Sequence, residues 1–397
     1  MNNPSQPKPS AYRSSASFAD SKPHYMVLDG LRGTAALLVL VYHIFEGLAF
    51  ASGSDTITGL NHGYLAVDFF FLLSGFVIGY AYDERLKHTM STGQFIKRRL
   101  VRLHPMIVMG AIVGAASFIL GGCLKWDGTH VALSVVMLSL LCTMFCIPAY
   151  PGSVIDVRGN TEMFPLNGPA WSLWFEYIGN LAYVLFIHKL GNRALRVLVV
   201  VLGTLLAVIC IFDLGKYGAL CEGWSLEGWQ FPIGLVRMLF PYSLGMLLAR
   251  NFRPRHNVRG TFWICSLLLL VLFLVPAIPG RSPICWNAVY EMICIMVVFP
   301  FVLRMGASTQ PKSGLSLMAC KWLGDLSYPL YSIHYPVMYL FYAWLIRKHC
   351  HTLAEAWPQA LLVVAICLLI ALLALKCYDE PLRKWLTRRM SHSKKTA

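Results

Sequence analysis

Residues 25–50 read YMVLDGLRGTAALLVLVYHIFEGLAF, a stretch that is apolar and long enough to cross a lipid bilayer as one α-helix. It nevertheless carries an arginine, Arg32, and a histidine, His43. An arginine near the centre of a membrane helix costs roughly 2.5 kcal/mol or more, so such residues usually face a polar cavity and serve a function. At about 1.5 Å per residue, the two side chains lie about 16 Å apart along the helix. We therefore expect a functional pair, with one group near a membrane face and the other deep in the bilayer.

The composition of the chain indicates an all-α polytopic integral membrane protein. Hydrophobic residues make up 57% of the 397 residues, only 13% are charged, and the mean hydropathy is +0.58. A soluble domain of ordinary composition carries about 25% charged residues. Eleven apolar segments are candidate membrane helices: 26–50, 64–82, 103–121, 131–148, 170–188, 194–212, 231–250, 260–278, 286–303, 322–345 and 358–378.

The distribution of basic residues predicts how many of these segments cross the membrane. Most of the 34 Lys and Arg fall in six clusters, which the positive-inside rule places in the cytoplasm. Both termini then lie in the cytoplasm, and the number of crossings must be even. Treating residues 131–148 as a re-entrant or packed segment gives about ten transmembrane helices and keeps every cluster cytoplasmic. The clusters are the N-terminal tail with Arg32, 85–102, 189–196, 250–259, 304–321 and 376–395.

The same reasoning predicts the domain organisation and the partners that charge alone suggests. Residues 25–385 form the transmembrane domain, between a disordered cytoplasmic tail (1–24) and a basic cytoplasmic tail (386–397). The net charge of +15 follows from the cytoplasmic clusters, and it indicates anionic membrane lipids rather than nucleic acid. The twelve cysteines show no paired C-x-x-C spacing, and H-E-x-x-H is absent, so we expect no metal and no permanently bound cofactor.

Several ionisable or polar side chains are expected at the depth of His43. Each of them has a structural alternative: a histidine can join two helices by a hydrogen bond, and Asp68 can cap or anchor a helix. Arg237 and Glu291 are more simply interpreted as a structural ion pair. The residues placed near His43 are Glu46, Asp68, Ser172, Glu176 and His334.

A second group lies at the cytoplasmic mouth of the third segment, where residues 97–102 read KRRLVR. Arg99 and Arg102 are three residues apart and share one helical face, so two guanidinium groups can grip one phosphorylated ligand. Arg98 lies beside them. The alternative is an ordinary basic flank of a membrane helix, and charge alone favours that alternative.

Taken together, these motifs closely resemble the membrane-bound acyltransferase 3 family of bacterial O-acyltransferases. The resemblance runs in order over residues 25–385, and it depends on the sequence and spacing of the motifs rather than on any one of them. The motifs are LDGLRG at 28–33 followed by His43, FFFLLSGF at 69–76 after Asp68, Arg99 and Arg102 as R-x-x-R, WSL at 171–173 with Glu176, and LGDLSYPLY at 323–331 leading to His334 and Pro336.

The resemblance implies that an acyl group, most often acetyl, passes from cytoplasmic acyl-CoA to a hydroxyl at the outer side of the bacterial inner membrane. The implied acceptor is a carbohydrate or lipid-linked sugar. Arg32 and His43 correspond to the essential pair of such enzymes, and Arg99 and Arg102 to the residues thought to engage the donor. Acyl-CoA is thus implied as a co-substrate.

The residues and the resemblance together give a hypothesis for the chemistry. Neutral His43 acts as the general base toward the acceptor hydroxyl, and a covalent acyl-imidazole is the less favoured variant. We expect Glu176 to orient the imidazole because it lies in the WSL motif, with Glu46 as the nearby alternative. A proton-coupled transporter is the main alternative function, because it uses the same kinds of intramembrane charge, and a structural scaffold is a third.

Overall fold

The computed structural model describes residues 24–54, 57–218, 220, 222–254, 258–311 and 314–392, and within them the fold is all-α. The predicted tail at 1–24 lies outside the described residues except for His24, as does the end of the C-terminal tail at 393–397. The α-helices are α1 (Met26–Ser52), α2 (Ala66–His88), α3 (Thr92–Leu120), α4 (Leu133–Met144), α5 (Ala170–Leu185), α6 (Asn192–Ile211), α7 (Gln230–Arg250), α8 (Thr261–Leu274), α9 (Trp286–Ile293), α10 (Phe299–Ser308), α11 (Leu315–Lys348), α12 (Leu353–Leu373) and α13 (Glu380–His392).

These helices confirm an all-α polytopic membrane protein. Each of the eleven predicted segments lies on one helix or on one continuous pair, because π-helical turns join α9 to α10 and α12 to α13. Within the described part of the chain, seven helical segments are long and apolar enough to cross a membrane, and α4 and α8 are shorter apolar helices. The 12 residues of α4 make about 18 Å of helix, short of the roughly 30 Å hydrocarbon core. The count of ten crossings stays a prediction, because α5 and α8 are also short.

The third helix begins well before the apolar segment that predicted it. Ser91 caps its N-terminus: the Ser91 hydroxyl accepts from the Gln94 amide, and the Gln94 side chain accepts from the Ser91 amide. This reciprocal capping box starts α3 at Thr92. Arg98, Arg99 and Arg102 are therefore held on a regular helix rather than on a loop.

Glycines bring α1 and α11 into close contact along their length. A Cβ atom on Gly33 would lie 2.3 Å from the Leu323 carbonyl oxygen, and one on Gly30 would lie 2.8 Å from Cys320. Further along, Gly47 lies against the ring of Tyr342. Small residues allow two membrane helices to approach backbone to backbone. This contact aligns the α1 face that carries Arg32 and His43 with the α11 face that carries His334.

A second glycine contact joins α2 to α7. A Cβ on Gly75 would lie 1.9 Å from the Tyr242 carbonyl oxygen, and a Cβ on Gly245 would lie 2.2 Å from that of Leu72. The two backbones thus interlock at neighbouring positions. The contact sets the distance between the polar residues of α2 and α7.

We predict that Gly33→Ala lowers the thermal stability of the protein by an amount corresponding to about 1–3 kcal/mol, the usual cost of overpacking. The added methyl group meets backbone, so one helix must shift. The matched control is Gly93→Ala, in the exposed first turn of α3, where a Cβ would meet nothing within 4 Å. The melting temperature of each variant in detergent, monitored by size-exclusion chromatography of the heated samples, measures both changes. Equal melting temperatures for the two variants would contradict the close α1–α11 contact.

Candidate active site

His43 is held by a carboxylate one turn further along α1. Its Nδ1 lies 2.7 Å from Oε2 of Glu46. The same Glu46 oxygen accepts hydrogen bonds from the hydroxyls of Tyr342 (2.8 Å) and Tyr335 (3.2 Å), both on α11. Tyr42 donates to the other carboxylate oxygen at 3.3 Å. Glu46 is therefore fixed from two helices, and it fixes the imidazole in turn.

This arrangement determines which nitrogen of His43 can act on a substrate. An ionised carboxylate only accepts hydrogen bonds, so Nδ1 of the neutral imidazole carries the proton and donates it to Glu46. The lone pair then lies on Nε2, which has no hydrogen-bond partner among the described residues. The side chain keeps 14% of its surface exposed. His43 thus has the oriented and available nitrogen that a general base requires.

A second histidine stacks on the first. The ring of His334 lies 5.2 Å from that of His43, centre to centre, with the planes 30° apart. Its Nδ1 lies 3.0 Å from the carbonyl oxygens of both Leu330 and Tyr331, so that nitrogen is the donor. The other nitrogen, Nε2, is buried without a partner. The convergence of His43 and His334 expected from the sequence is present, whereas the role of His334 stays a prediction.

A cavity of about 240 Å³ extends from the arginines of α1 and α3 toward this histidine pair. Ser172, Tyr331 and Phe70 line its deep end, and the rings of Phe70 and Tyr331 are 5.2 Å apart. The ring of Tyr331 lies 5.9 Å from that of His334. Two ring-to-ring contacts, Tyr331 with His334 and His334 with His43, therefore connect the deep end of the cavity to His43. Its charged lining residues are Asp29, Arg32, Arg85, Arg98, Arg99, Arg102 and Glu176.

Glu176 lies in this cavity rather than beside His43. One of its oxygens accepts from Arg99 at 2.6 Å and from the Ser74 hydroxyl at 2.7 Å. The expectation that Glu176 orients the imidazole is wrong, because Glu46, the alternative carboxylate, occupies that place. Sequence could not separate the two, since the choice depends on the rotation of α5 relative to α1. Ser172 of the same motif hydrogen-bonds to the Tyr331 hydroxyl at 2.6 Å.

The arginines of the cavity differ in how far they are already engaged. Arg99 is bonded to Glu176, and Arg32 donates to the Ser327 hydroxyl at 2.9 Å and pairs with Asp29 at 3.2 Å. The guanidinium carbon of Arg102 lies 5.9 Å from the centre of the Tyr328 ring, and Arg102 forms no ion pair within 4 Å with a described residue. Arg102 is thus the cation of this group most available to an incoming anion.

Asp68 belongs to a sealed ion pair instead of the cavity. Both of its oxygens accept from Arg237, at 2.9 and 2.7 Å, and the two side chains are 0% and 2% exposed. The expected pair of Arg237 with Glu291 is therefore wrong. Glu291 instead accepts from the hydroxyl of Tyr64, the amide of Leu220 and the side chain of Asn287. The close packing of α2 against α7, which the sequence did not predict, makes Asp68 the partner of Arg237.

The tyrosines that surround Glu46 were not among the site residues predicted from the sequence. Tyr335, Tyr339 and Tyr342 follow one face of α11 at i, i+4 and i+7, a helical spacing that could have identified them. Tyr339 donates to Glu162 of the loop 149–169, and the guanidinium carbon of Arg158 lies 3.4 Å from the centre of its ring. Burial raises the pKa of this loop carboxyl, Glu162, to about 7. The loop thus packs directly over the tyrosine face.

Comparison with known proteins points to one family. A family model described as an acyltransferase domain, Acyl_transf_3, matches residues 27–376. Protein 2 in the picA locus of Rhizobium radiobacter is 34% identical over 177 residues, which cover 43% of this chain and 84% of that protein. The acyltransferase MdmB of Streptomyces mycarofaciens is 28% identical over 332 residues, 78% of each chain.

A third relative is longer than this chain. The peptidoglycan O-acetyltransferase OatA of Listeria monocytogenes is 25% identical over 385 residues, which are 92% of this chain but 56% of OatA. This chain therefore spans little more than half of the length of that relative. No solved structure matches.

We predict that Asp68→Leu alone destabilises the fold by about 3–5 kcal/mol, since it leaves the buried Arg237 without its counter-charge. The double variant Asp68→Leu/Arg237→Met should recover most of this loss because it removes both charges. Melting temperatures of the single and double variants give the coupling between the two sites. A double variant that is as stable as the parent but has no activity would assign Asp68 to the chemistry instead.

Proposed function

The chain belongs to the acyltransferase 3 family, and from this premise we propose that it transfers an acyl group, acetyl in the simplest case, from cytoplasmic acyl-CoA to a hydroxyl of a carbohydrate or lipid-linked sugar at the outer side of the membrane. The observation that carries the proposal is a histidine oriented by a carboxylate, Nδ1 of His43 on Glu46, close to the deep end of an arginine-lined cavity. The OatA relative is a peptidoglycan O-acetyltransferase, which supports a carbohydrate acceptor.

The orientation in the membrane follows from charge. The arginines of the cavity belong to basic clusters that the positive-inside rule places in the cytoplasm. His43 lies about 16 Å further along α1, toward the opposite face. The protein then sits in the bacterial inner membrane with both termini cytoplasmic, its donor entrance inside and its histidine pair in the outer half.

The cavity suits the shape and charge of acyl-CoA. Five arginines and two carboxylates line it, so positive charge is in excess. The phosphate groups of coenzyme A are anionic, and guanidinium groups bind phosphate in bidentate fashion. The thin pantetheine arm can extend past Ser172 and Tyr331 toward His334 and His43. Donor binding at one end thus delivers the thioester at the other.

The proposed reaction needs one proton acceptor, His43, which is neutral again when the reaction is complete. Nε2 of His43 takes the proton of the acceptor hydroxyl while the hydroxyl oxygen bonds to the thioester carbonyl carbon. The tetrahedral intermediate breaks its carbon–sulfur bond, and the imidazolium gives its proton to the departing thiolate. The products are the acyl ester and free coenzyme A. Glu46 stabilises the imidazolium that forms between the two proton transfers.

Two alternatives are less well supported. An acyl-imidazole on His43 would use the same nitrogen, but it adds a covalent step that direct attack by the acceptor hydroxyl on the thioester does not need. A proton-coupled transporter would use similar intramembrane charges, but membership of an acyltransferase family favours the enzyme.

The experiment that tests the function is acyl transfer by the purified protein in nanodiscs. We expect His43→Ala to bind acyl-CoA normally and to lose transfer or hydrolysis by a factor of about 100 or more, the usual contribution of a general base. His351→Ala, an exposed histidine in the α11–α12 connection, is the matched control and should keep full activity. Retained turnover in a folded His43→Ala protein would remove this histidine from the mechanism.

A second prediction concerns the donor. Arg102→Gln should raise the KM for acyl-CoA about tenfold and leave kcat nearly unchanged, because a phosphate contact far from the reacting carbon binds ground and transition states alike. Lys97→Gln, an exposed basic residue on the same helix, is the control for charge alone. Steady-state kinetics against acyl-CoA separate the two parameters. The same KM for both variants would mean that Arg102 is an ordinary basic residue flanking a membrane helix and does not bind the donor.

A further inference from the structure

A second, smaller cavity of about 50 Å³ adjoins the large one. The two share Asp29, Arg32, Arg102 and Tyr328 in their linings, so these side chains form a common wall. The far side of the small cavity is formed by the C-terminal helix region through Asp379 and Arg383. This region belongs to none of the motifs from which the site was predicted.

Arg383 is buried with its hydrogen-bonding capacity only partly used. It donates through Nη2 to Asp379 within the turn that leads into α13, and its side chain is 8% exposed. Its Nε and Nη1 are buried without any partner. Buried guanidinium donors are normally satisfied, so two unsatisfied ones at the edge of a cavity indicate a missing acceptor.

The other side chains around the cavity make that acceptor an anion. Asp29 is already engaged by His24 at 2.8 Å and by Arg32 at 3.2 Å. Asp379 is engaged by Arg383 through Oδ2, and its Oδ1 is buried without a partner among the described residues. Arg102 forms no ion pair within 4 Å with a described carboxylate. The cationic lining residues Arg32, Arg102, Lys321 and Arg383 outnumber the carboxylates Asp29, Asp325 and Asp379 by one, so an added negative charge would balance the lining.

The size of the cavity limits what this anion can be. About 10–15 Å³ of such space admits one water-sized atom, so about 50 Å³ admits on the order of four oxygen-sized atoms. A phosphate monoester presents that number. A diphosphate is bonded to further groups at both ends and therefore needs the larger cavity instead.

We propose that this small cavity is a subsite for a terminal phosphate monoester, held by Arg102 and Arg383, and that the group it takes is the 3′-phosphate of the acyl-CoA nucleotide. The proposal rests on the proposed function, which supplies the donor. It adds a residue of the C-terminal helix region to the donor site. The diphosphate then lies in the large cavity near Arg98 and Arg99, and the acyl arm points toward His43.

The test compares two donors that differ only in this phosphate. Dissociation constants for acetyl-CoA and acetyl-dephospho-CoA are measured by calorimetry on the full chain in phosphatidylcholine nanodiscs. The parent should prefer acetyl-CoA by about tenfold or more, the value of a charge-assisted hydrogen bond. Asp379→Asn/Arg383→Gln removes the ion pair as a unit and should abolish the preference, with affinity for acetyl-dephospho-CoA unchanged.

Two further variants make the result specific. Arg389→Gln, an exposed arginine on α13 that stacks on Trp385 at 4.3 Å, should keep the full preference. Arg102→Gln breaks no ion pair and should lose the preference even if the double variant fails to fold.

Three outcomes would overturn the subsite: a parent protein without preference, an Arg102→Gln variant that keeps it, or folded variants that lose affinity for both donors equally. A parent that binds both donors equally and still transfers acetyl would leave the proposed function intact and remove the subsite alone. A parent that binds neither donor would remove both.

Discussion

The close approach of α1 and α11 is the contact on which the candidate site depends. Gly33 leaves no room for a Cβ beside the Leu323 carbonyl, so the two backbones touch. Further along the same contact, His43 stacks on His334 and Glu46 accepts from two tyrosines of α11. A wider separation would break the stacking and the carboxylate contacts together. Packing of small residues thus determines the geometry of the ionisable ones.

Charge inside the membrane is distributed unevenly between paired and unpaired groups. Asp68 and Arg237 satisfy each other almost completely, and Arg99 is paired with Glu176 through Nη2, although its Nε has no partner among the described residues. Such pairs limit the cost of burying charge but offer little to a ligand. Arg102 and the Nε2 atoms of His43 and His334 are left without comparable partners among the described residues. Incomplete satisfaction is costly, so these are the positions where function is the better explanation.

Sequence predicted the segments and the layer of ionisable residues, because both depend on local composition. It predicted the partners poorly. Arg237 pairs with Asp68 instead of Glu291, and Glu46 instead of Glu176 contacts His43. Partner choice depends on the rotation of each helix about its axis and on contacts such as Gly75 with Tyr242, which no local pattern encodes. The tyrosines of α11 were within reach of prediction, since their spacing follows one helical face.

A single rigid helix links the two ends of the proposed reaction. Arg32 lines the cavity where the arginines gather, and His43 lies about 16 Å further along α1. Between them the lining changes from charged side chains to Phe70, Ser172 and Tyr331, a less polar lining that suits the thin pantetheine arm of the proposed donor better than its charged nucleotide. Under the proposed function, a donor anchored by its phosphates would extend its acyl end toward the histidine. Fixing both groups on one helix keeps that distance constant, which a site assembled from separate loops could not ensure.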